Sequence, residues 1–252
     1  MKVAFVNSGS PSSIAAQKEL VELYDNAAVG ECDVIVPLGG DGYVLHCLHE
    51  YLPLDKPIYG MNRGTIGFLL NEYKSDDLLA RIAAAQKEVL RPLCMEATAK
   101  DGKTHHALAF NEVSMLRSSR QSANLKILVN GKPELDKLIC DGALVSTPAG
   151  STAYNLSVHG PVVPLGAQLI ALTSISAFRP RRWRGALLPQ DAVVCIENLD
   201  PEKRPVSASA DQTEVEDVVS LTVSQAEDKA VTMLFDEGHS LNERILREQF
   251  AI

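Results

Sequence analysis

The chain has 252 residues, of which 46% are hydrophobic and 22% are charged, as in an ordinary globular protein. Its net charge of -8 argues against nonspecific binding to nucleic acid or acidic membranes, and no apolar stretch is long enough to span a membrane. The five cysteines are scattered without a CxxC pair, which indicates a reducing, cytoplasmic compartment.

The first 90 residues alternate between predicted strands and helices, which favours a parallel sheet with helices on its faces. The predicted elements are a strand at 2–6, a helix at 12–24, a strand at 34–38, a helix at 43–52, a strand at 57–60 and a helix at 76–86. Ligands of such sheets bind at the carboxyl ends of the strands. Both the turn 39–42 and the glycine-spaced loop 60–67 fall there.

The turn Gly39-Gly40-Asp41-Gly42 carries the most informative pattern of this first part. Unpaired N–H groups and partial positive charge at a helix N-terminus suit a phosphate, and glycines let the ligand approach the backbone. A carboxylate repels phosphate, so Asp41 is expected to accept a proton from an attacking hydroxyl or to hold a metal. An ordinary helix N-cap is the alternative interpretation.

Beyond about residue 90 the segments become short, alternating and interrupted by turns, which predicts a mostly antiparallel, sandwich-like β domain. Asp101-Gly102 and Asn130-Gly131 are typical of hairpin turns. The predicted strands lie at 107–116, 125–129, 143–146, 193–197, 218–223 and 230–234.

The tail predicts one more helix, because Ser240 and Glu243 have the spacing of a capping box. Leu241, Ile245 and Phe250 would form its apolar face, which we expect to pack on the first domain. The predicted domains are therefore an α/β nucleotide-binding domain at 1–90, completed by 236–252, and a β-rich domain at 91–235.

Two further motifs lie in the β-rich part. Asn111 and Glu112 follow an apolar stretch and have the groups to bind a base edge and a ribose hydroxyl, although a strand end explains them equally well. Residues 141–163, DGALVSTPAGSTAYNLSVHGPVV, combine small residues, hydroxyls and the ring of Tyr154. This segment suits a flat ligand close to the backbone, and a Ser/Thr-rich loop is the alternative.

Two weaker patterns stay open. His46 and His49 have helical i, i+3 spacing but no third metal ligand nearby in the sequence. The basic stretch 178–184, FRPRRWR, suits phosphates or an adjacent subunit, and a solvated basic loop is an equal alternative.

Taken together in this order and spacing, GGDG, Asn111-Glu112 and DG-x5-TPAGSTAYNLS resemble the NAD kinases over nearly the whole chain. These enzymes use ATP, or polyphosphate in some members, to phosphorylate the 2′-hydroxyl of the adenosine ribose of NAD. The GGDG is shared with diacylglycerol, sphingosine and 6-phosphofructo-kinase relatives, whereas TPAGSTAY is much more specific. The resemblance implies an α/β domain, a β domain and a C-terminal segment that returns to the first.

The resemblance also implies residue roles. Asp41 would be the general base, and Asp141 would lie near the nicotinamide of a neighbouring subunit's ligand. The implied substrate- and nucleotide-binding residues are Gly39, Gly40, Gly42, His46, Phe68, Asn111, Glu112, Asp141, Thr152, Ala153, Tyr154, Asn155, Ser157 and Thr173. Mg²⁺ carried with ATP is the expected cofactor, no residue is assigned as a metal ligand, and a homodimer or homotetramer is expected.

The sequence departs from the family at His159, where glycine is common, and in the basic stretch 178–184. It also lacks the Walker A lysine pattern, so Mg²⁺, the glycine-turn amides or an arginine must supply positive charge. Two rival functions stay open. A lipid kinase predicts a greasy cleft, against which the polar 141–163 segment argues. A noncatalytic NAD(H) or NADP(H) sensor predicts loss of Asp41, which is present.

Overall fold

The computed structural model describes residues 1–64, 67–181, 183–238 and 240–250. Its helices are α1 (Pro11–Tyr24), α2 (Asp41–Tyr51), α3 (Leu78–Ala84), α4 (Tyr154–Ser157) and α5 (Leu241–Glu248). Its strands are β1 (Val3–Asn7), β2 (Val34–Gly39), β3 (Met61–Asn62), β4 (Gln86–Leu90), β5 (Leu93–Ala99), β6 (Thr104–Ala109), β7 (Glu112–Arg117), β8 (Ala123–Val129), β9 (Lys132–Cys140), β10 (Gly142–Ser146), β11 (Leu169–Ile175), β12 (Gly185–Pro189), β13 (Val194–Asn198), β14 (Val206–Ala210), β15 (Thr213–Val215), β16 (Val218–Gln225) and β17 (Val231–Phe235).

The chain divides into two compact units. Unit 1 comprises Met1–Leu90 and Asp228–Arg247, and unit 2 comprises Arg91–Glu227 and the chain end from Glu248. Among the described residues, no helix is long and apolar enough to cross a membrane.

Unit 1 is built on a parallel sheet in the order β1-β2-β3. Every residue of β2 is buried, as expected of a central parallel strand covered on both faces. An antiparallel pair, β4 with β17, joins this sheet through Ile58, which bridges to Ile35 and to Met233. The parallel α/β arrangement predicted for the first 90 residues is therefore confirmed.

The observed bounds of the unit 1 elements agree with the prediction for α1 but differ from it for α3 and for the strand at 57–60. Helix α1 begins at Pro11 after the N-cap Ser10 and ends at Tyr24, within one residue of the prediction. Helix α3 is shorter than the predicted 76–86, because Gln86 already belongs to β4 and pairs with Phe235. The predicted strand at 57–60 is only the bridge at Ile58, followed by β3.

Unit 2 contains two six-stranded sheets in which the pairs are antiparallel. Their orders are β12-β11-β10-β7-β14-β15 and β6-β5-β16-β13-β8-β9. Side chains from both sheets form one apolar core, including Met95, Val113, Leu172 and Leu221. The predicted sandwich is confirmed, and so are the hairpin turns at Gly102 and Asn130-Gly131, which have positive φ.

Two predicted strands need correction. Residues 107–116 do not form one strand, because the chain bends at Phe110-Asn111 and passes from β6 in one sheet to β7 in the other. The strand predicted at 230–234 exists as β17, but it pairs with β4 and belongs to unit 1 rather than to the β-rich part.

Helix α5 begins with the predicted capping box. The Ser240 N–H donates to a Glu243 carboxylate oxygen (3.0 Å), and the Glu243 N–H donates to Ser240 Oγ (3.3 Å). Leu241 and Ile245 are fully buried. Phe250 is 77% exposed, contrary to the predicted apolar face, because the helix ends at Glu248 before Phe250 can follow the helical period.

Candidate functional site

Asp41 lies at the junction of β2 and α2 in unit 1. The helix begins at Asp41 itself, with Gly40 as N-cap, so Asp41 and Gly42 belong to its first turn. The prediction, which placed both residues in a loop before a helix at 43–52, was wrong on this point. A carboxylate in the first turn is favoured by the helix dipole, which explains the earlier start. A Cβ on Gly39 would lie 2.9 Å from a ring carbon of Tyr43, so only glycine fits where the chain turns.

Both oxygens of the Asp41 carboxylate accept backbone hydrogen bonds from the following loop. The Phe68 N–H donates to Oδ2 (2.7 Å) and the Leu69 N–H to Oδ1 (2.9 Å). Two charge-assisted bonds hold the carboxylate in one orientation and leave lone pairs for a ligand. Thr65 and Ile66 of the predicted glycine-spaced loop lie outside the described residues.

A cavity of about 360 Å³ adjoins this loop in unit 1. Asn62, Gly67, Tyr73 and Arg244 contribute to its lining. Arg244 donates to the carbonyl oxygens of Gly67 (2.7 Å) and Phe68 (3.3 Å). The sequence did not indicate Arg244, because an arginine in an amphipathic helix ordinarily lies on its solvated face.

His46 lies one turn further along α2 and is exposed. Its Nε2 pairs with Glu50 at 3.2 Å, and its ring is stacked near Tyr43 with 6.2 Å between centroids. Within the described ranges, no group of three or more His, Cys, Asp or Glu side chains is placed to hold a metal ion.

In unit 2 the bend at Asn111 is organised by Asp211, which follows β14. Its carboxylate accepts from the N–H groups of Phe110 (2.7 Å), Asn111 (3.0 Å) and Glu112 (3.4 Å). These bonds satisfy backbone N–H donors at the point where the chain leaves one sheet and enters the other. Sequence reasoning missed Asp211, whose only signal is a turn-forming aspartate between two β segments.

The TPAGSTAY segment packs directly on this bend. Thr147 donates from its hydroxyl to the Phe110 carbonyl (2.6 Å) and from its N–H to the Asn111 carbonyl (2.9 Å). The Gly150 N–H in turn donates to Thr147 Oγ1 (2.9 Å). A Cβ on Gly150 would overlap the Asn111 carbonyl, so this contact requires glycine. The fold therefore brings together the two motifs that the sequence separates.

Glu112 is the most unusual side chain of this cluster. Among the described residues, its Oε2 is buried without a hydrogen-bond partner. Burial, and next the charge of Asp211, raise the pKa of Glu112 to about 7, while a hydrogen bond from the Tyr154 backbone acts in the opposite direction. A buried acceptor without a partner is costly unless a ligand supplies a donor, so Glu112 is suited to bind a ligand hydroxyl.

The neighbouring predicted site residues divide into exposed and buried ones. Tyr154 is 37% exposed, and Ser157 is exposed, while Thr152 and Ala153 are half-buried. Asn155 is buried, and its Oδ1 accepts from the Thr173 hydroxyl at 2.7 Å. Asn155 Nδ2 also donates to the carbonyls of residues 151 and 161, so Asn155 and Thr173 hold the segment together from inside.

Asp141 lies away from this cluster. It precedes β10 and Thr147 follows it, so six extended residues of about 3.4 Å each separate them by about 20 Å. Asp141 pairs with Arg117 (2.6 Å). The start of the basic stretch lies nearby, since Ile139, two residues before Asp141, exchanges hydrogen bonds with Phe178 and Arg179.

The Phe178 ring is 51% exposed and lies 5.5 Å from the guanidinium carbons of both Arg179 and Arg181. Arg182 lies outside the described residues. His159 has φ 63°, a left-handed conformation that favours glycine.

The family model for the ATP-NAD kinase N-terminal domain matches residues 7–85, and that for the ATP-NAD kinase C-terminal domain matches residues 110–233. The NAD kinase of Brucella suis is 54% identical over 246 residues, covering 98% of this chain and 96% of the relative. The NAD kinase of Hyphomonas neptunium is 52% identical over 251 residues, covering 100% and 98%.

Two solved structures share the fold. A yeast NADH kinase complexed with NADH matches with a TM-score of 0.83 and 20% identity, covering 99% of this chain and 87% of that one. An NAD kinase from Archaeoglobus fulgidus in complex with ATP matches with a TM-score of 0.75 and 24% identity, covering 99% and 97%.

Proposed function

The chain belongs to the NAD kinase family, and from this premise we propose that it transfers a phosphoryl group from ATP to the 2′-hydroxyl of the adenosine ribose of NAD, giving NADP. The observation that carries this proposal is the Asp41 carboxylate, held by two loop amides at the start of α2. A carboxylate held in this way is fixed in one orientation before a ligand binds.

In the proposed reaction Asp41 is the general base. It accepts the ribose 2′-proton as the oxygen–phosphorus bond forms and the bond from the γ-phosphorus to the leaving ADP oxygen breaks. A base within hydrogen-bond reach typically contributes about 10²–10⁴ in rate. The Asp41 lone pairs not used by Phe68 and Leu69 are available for that hydroxyl.

The cluster in unit 2 is the proposed binding site for the adenosine half of NAD. Glu112 has a buried acceptor oxygen that a ribose hydroxyl would satisfy, and Asn111 presents an amide suited to a base edge. The exposed ring of Tyr154 can stack on a flat base. Residues 152, 153 and 157 would line the same ligand, with Asn155 and Thr173 supporting them from inside.

Further contacts with NAD and ATP are proposed because the chain belongs to the NAD kinase family. Phe68 would line the adenine end, and the exposed His46 would approach the NAD phosphates. The amides of Gly39, Gly40 and Gly42 would lie near transferred phosphate.

We propose that the divalent cation, Mg²⁺, is bound chiefly by the nucleotide phosphates. The described residues offer no group of three or more His, Cys, Asp or Glu side chains for a metal ion, and Mg²⁺ in nucleotide sites is commonly held through the substrate phosphates. When bound, the cation would neutralise charge on the transferred phosphoryl group.

We also propose a homodimer or homotetramer in which each copy completes its neighbour's site. Asp141 lies about 20 Å along β10 from Thr147, too far to join that cluster in the same chain. The start of the basic stretch is hydrogen-bonded to Ile139, two residues before Asp141, so carboxylate and guanidinium groups there would meet the nicotinamide and phosphates of a ligand in the next copy.

No disulfide joins the five cysteines, all of which lie in the described part of the chain, and this supports our proposal of a reducing, cytoplasmic compartment.

The reaction is tested by incubating the protein with NAD and Mg-ATP, and in parallel with polyphosphate and with NADH as acceptor. Formation of NADP from NAD and ATP is the expected result. Phosphorylation of diacylglycerol without NADP would favour the lipid-kinase alternative. NAD binding measured by a thermal shift, without NADP formation from either donor, would favour a sensor.

A further inference from the structure

The C-terminal helix and Asp41 bind opposite sides of the same two peptide groups. Arg244 Nη1 donates to the carbonyls of Gly67 (2.7 Å) and Phe68 (3.3 Å). The N–H groups of Phe68 and Leu69 belong to those same two peptides, and they donate to the Asp41 carboxylate. A cation therefore faces the oxygen side of each peptide, and an anion faces its nitrogen side.

This order of charges matches the peptide dipole. In a trans peptide the C=O and the N–H point in opposite directions, so both bonds polarise the peptide in the same sense. Hydrogen bonds in such a chain strengthen one another. The Arg244 charge thus makes the Phe68 and Leu69 amides better donors towards Asp41.

The loop that contains these two peptides packs closely against the Asp41 carboxylate. A Cβ on Gly67 would lie 2.6 Å from Asp41 Oδ1 and 2.7 Å from a methyl carbon of Leu70. The fully buried Asn71 then holds the end of the loop, donating to the carbonyls of Gly60 (3.2 Å) and Leu234 (2.9 Å). Because Gly67 packs directly against the carboxylate and Asn71 fixes the end of the loop, a shift at the two peptides would displace Asp41.

The position of Arg244 is itself well determined. The capping box fixes the start of α5 directly before it, and Leu241 and Ile245 are fully buried on either side of it in the sequence. Burial lowers the pKa of Arg244, and the negative charge of Asp41 acts in the opposite direction. The negative charge of Asp41 thus favours the charged form of Arg244 across the loop.

We propose that Arg244 is a positioning residue for Asp41: through the Gly67–Phe68 and Phe68–Leu69 peptides it orients the carboxylate that takes the ribose proton. The catalytic part of this inference rests on the proposed function. It assigns to the C-terminal helix, about 200 residues away from Asp41 in the chain, a role in the chemical step.

The test compares Arg244→Met, which keeps the length of the side chain without its charge, with Arg244→Lys, which keeps a charge and a donor. Arg247→Met is the matched control, because Arg247 lies on the same helix, one turn later, and is exposed. Turnover and KM for NAD and ATP are measured in each variant. Hydrogen exchange at the Phe68 and Leu69 amides is followed in the ligand-free protein.

Arg244→Met is expected to lower kcat by about 10–100-fold. KM for NAD should change by less than about threefold, Arg244→Lys should recover part of the turnover, and the control should retain it. Exchange at the two amides should rise more than at other protected amides of unit 1 in Arg244→Met. If Arg244→Met does not fold, exchange and kcat in Arg244→Gln, which also lacks the charge but keeps a polar side chain, give the same comparison.

Two results would overturn the inference: a kcat in Arg244→Met equal to that of the control, or a uniform rise in exchange that marks a merely structural arginine. Failure of the wild type to make NADP would instead refute the proposed function. The exchange measurement would still decide whether Arg244 orders the two amides that hold Asp41.

Discussion

Replacing Glu112 with glutamine is expected to stabilise the ligand-free protein above neutral pH. Burial and the Asp211 charge raise the pKa of Glu112 from 4.5 to about 7. A carboxyl group whose pKa is raised binds its proton more tightly in the folded chain than in the unfolded one. Its contribution to stability is therefore fully present below about pH 4.5 and is lost as the pH rises through about 7.

The size of the effect follows from the same pKa. At about 1.4 kcal/mol for each tenfold change in acidity, ionising Glu112 in the folded protein costs at most about 3 kcal/mol. Because Glu112 is not completely buried, solvent screening reduces this cost, and we expect about 1–3 kcal/mol. Glutamine has the same size, can still accept from the Tyr154 backbone, and does not ionise.

The assay is urea unfolding of the wild type and Glu112→Gln at pH 5.5 and pH 8.5. The free energy of unfolding of the variant, relative to the wild type, should rise between these two pH values. Glu214→Gln is the control, since Glu214 is an exposed carboxylate on β15 in the same unit. Parallel pH dependence of the wild type and Glu112→Gln would refute the assignment of a raised pKa to Glu112.

Two other substitutions each test a contact inside one unit, Gly150→Ala in unit 2 and Arg81→Met in unit 1. Gly150→Ala should destabilise the protein by about 1–3 kcal/mol and weaken NAD binding, because the new methyl group would overlap the Asn111 carbonyl; unfolding and NAD titration measure both. Arg81→Met should lower the free energy of unfolding, measured in urea, by about 2–4 kcal/mol. Arg81 binds Asp236 at 2.6 Å in a mostly buried site, and the substitution removes that partner of Asp236.

Controls distinguish these effects from general sensitivity. Gly166→Ala places a methyl group where no atom lies within 4 Å, so it should leave NAD affinity unchanged. Equal losses from Gly150→Ala and Gly166→Ala would contradict the close contact between the two motifs. An Arg81→Met variant as stable as the wild type would show that the ion pair with Asp236 contributes little.

The local elements of the fold were largely predictable from the sequence. Ser10 and Pro11 mark the start of α1, and the capping box at Ser240 marks the start of α5, because caps depend on neighbouring residues alone. The bend between β6 and β7 was not predictable. It depends on Asp211, about 100 residues later in the chain, and no local pattern reports such a bond.

The candidate site was predictable in part for the same reason. Asp41 stands in the recognisable GGDG turn, whereas Glu112 is indicated only through the combined order and spacing of all three motifs. Arg244 and Asp211 act through backbone groups of distant segments, and their own surroundings in the sequence look ordinary. The burial of Glu112 Oε2 likewise requires three-dimensional packing that no single segment encodes.

The central claim is that Asp41 takes the proton of the ribose hydroxyl. The most direct measurement is NADP formation from NAD and Mg-ATP by the wild type and by Asp41→Asn, with the NAD dissociation constant determined for each. A loss of about 10²–10⁴ in kcat with NAD affinity retained is the result that we predict. An Asp41→Asn variant that binds NAD and turns over at nearly the wild-type rate would contradict the account.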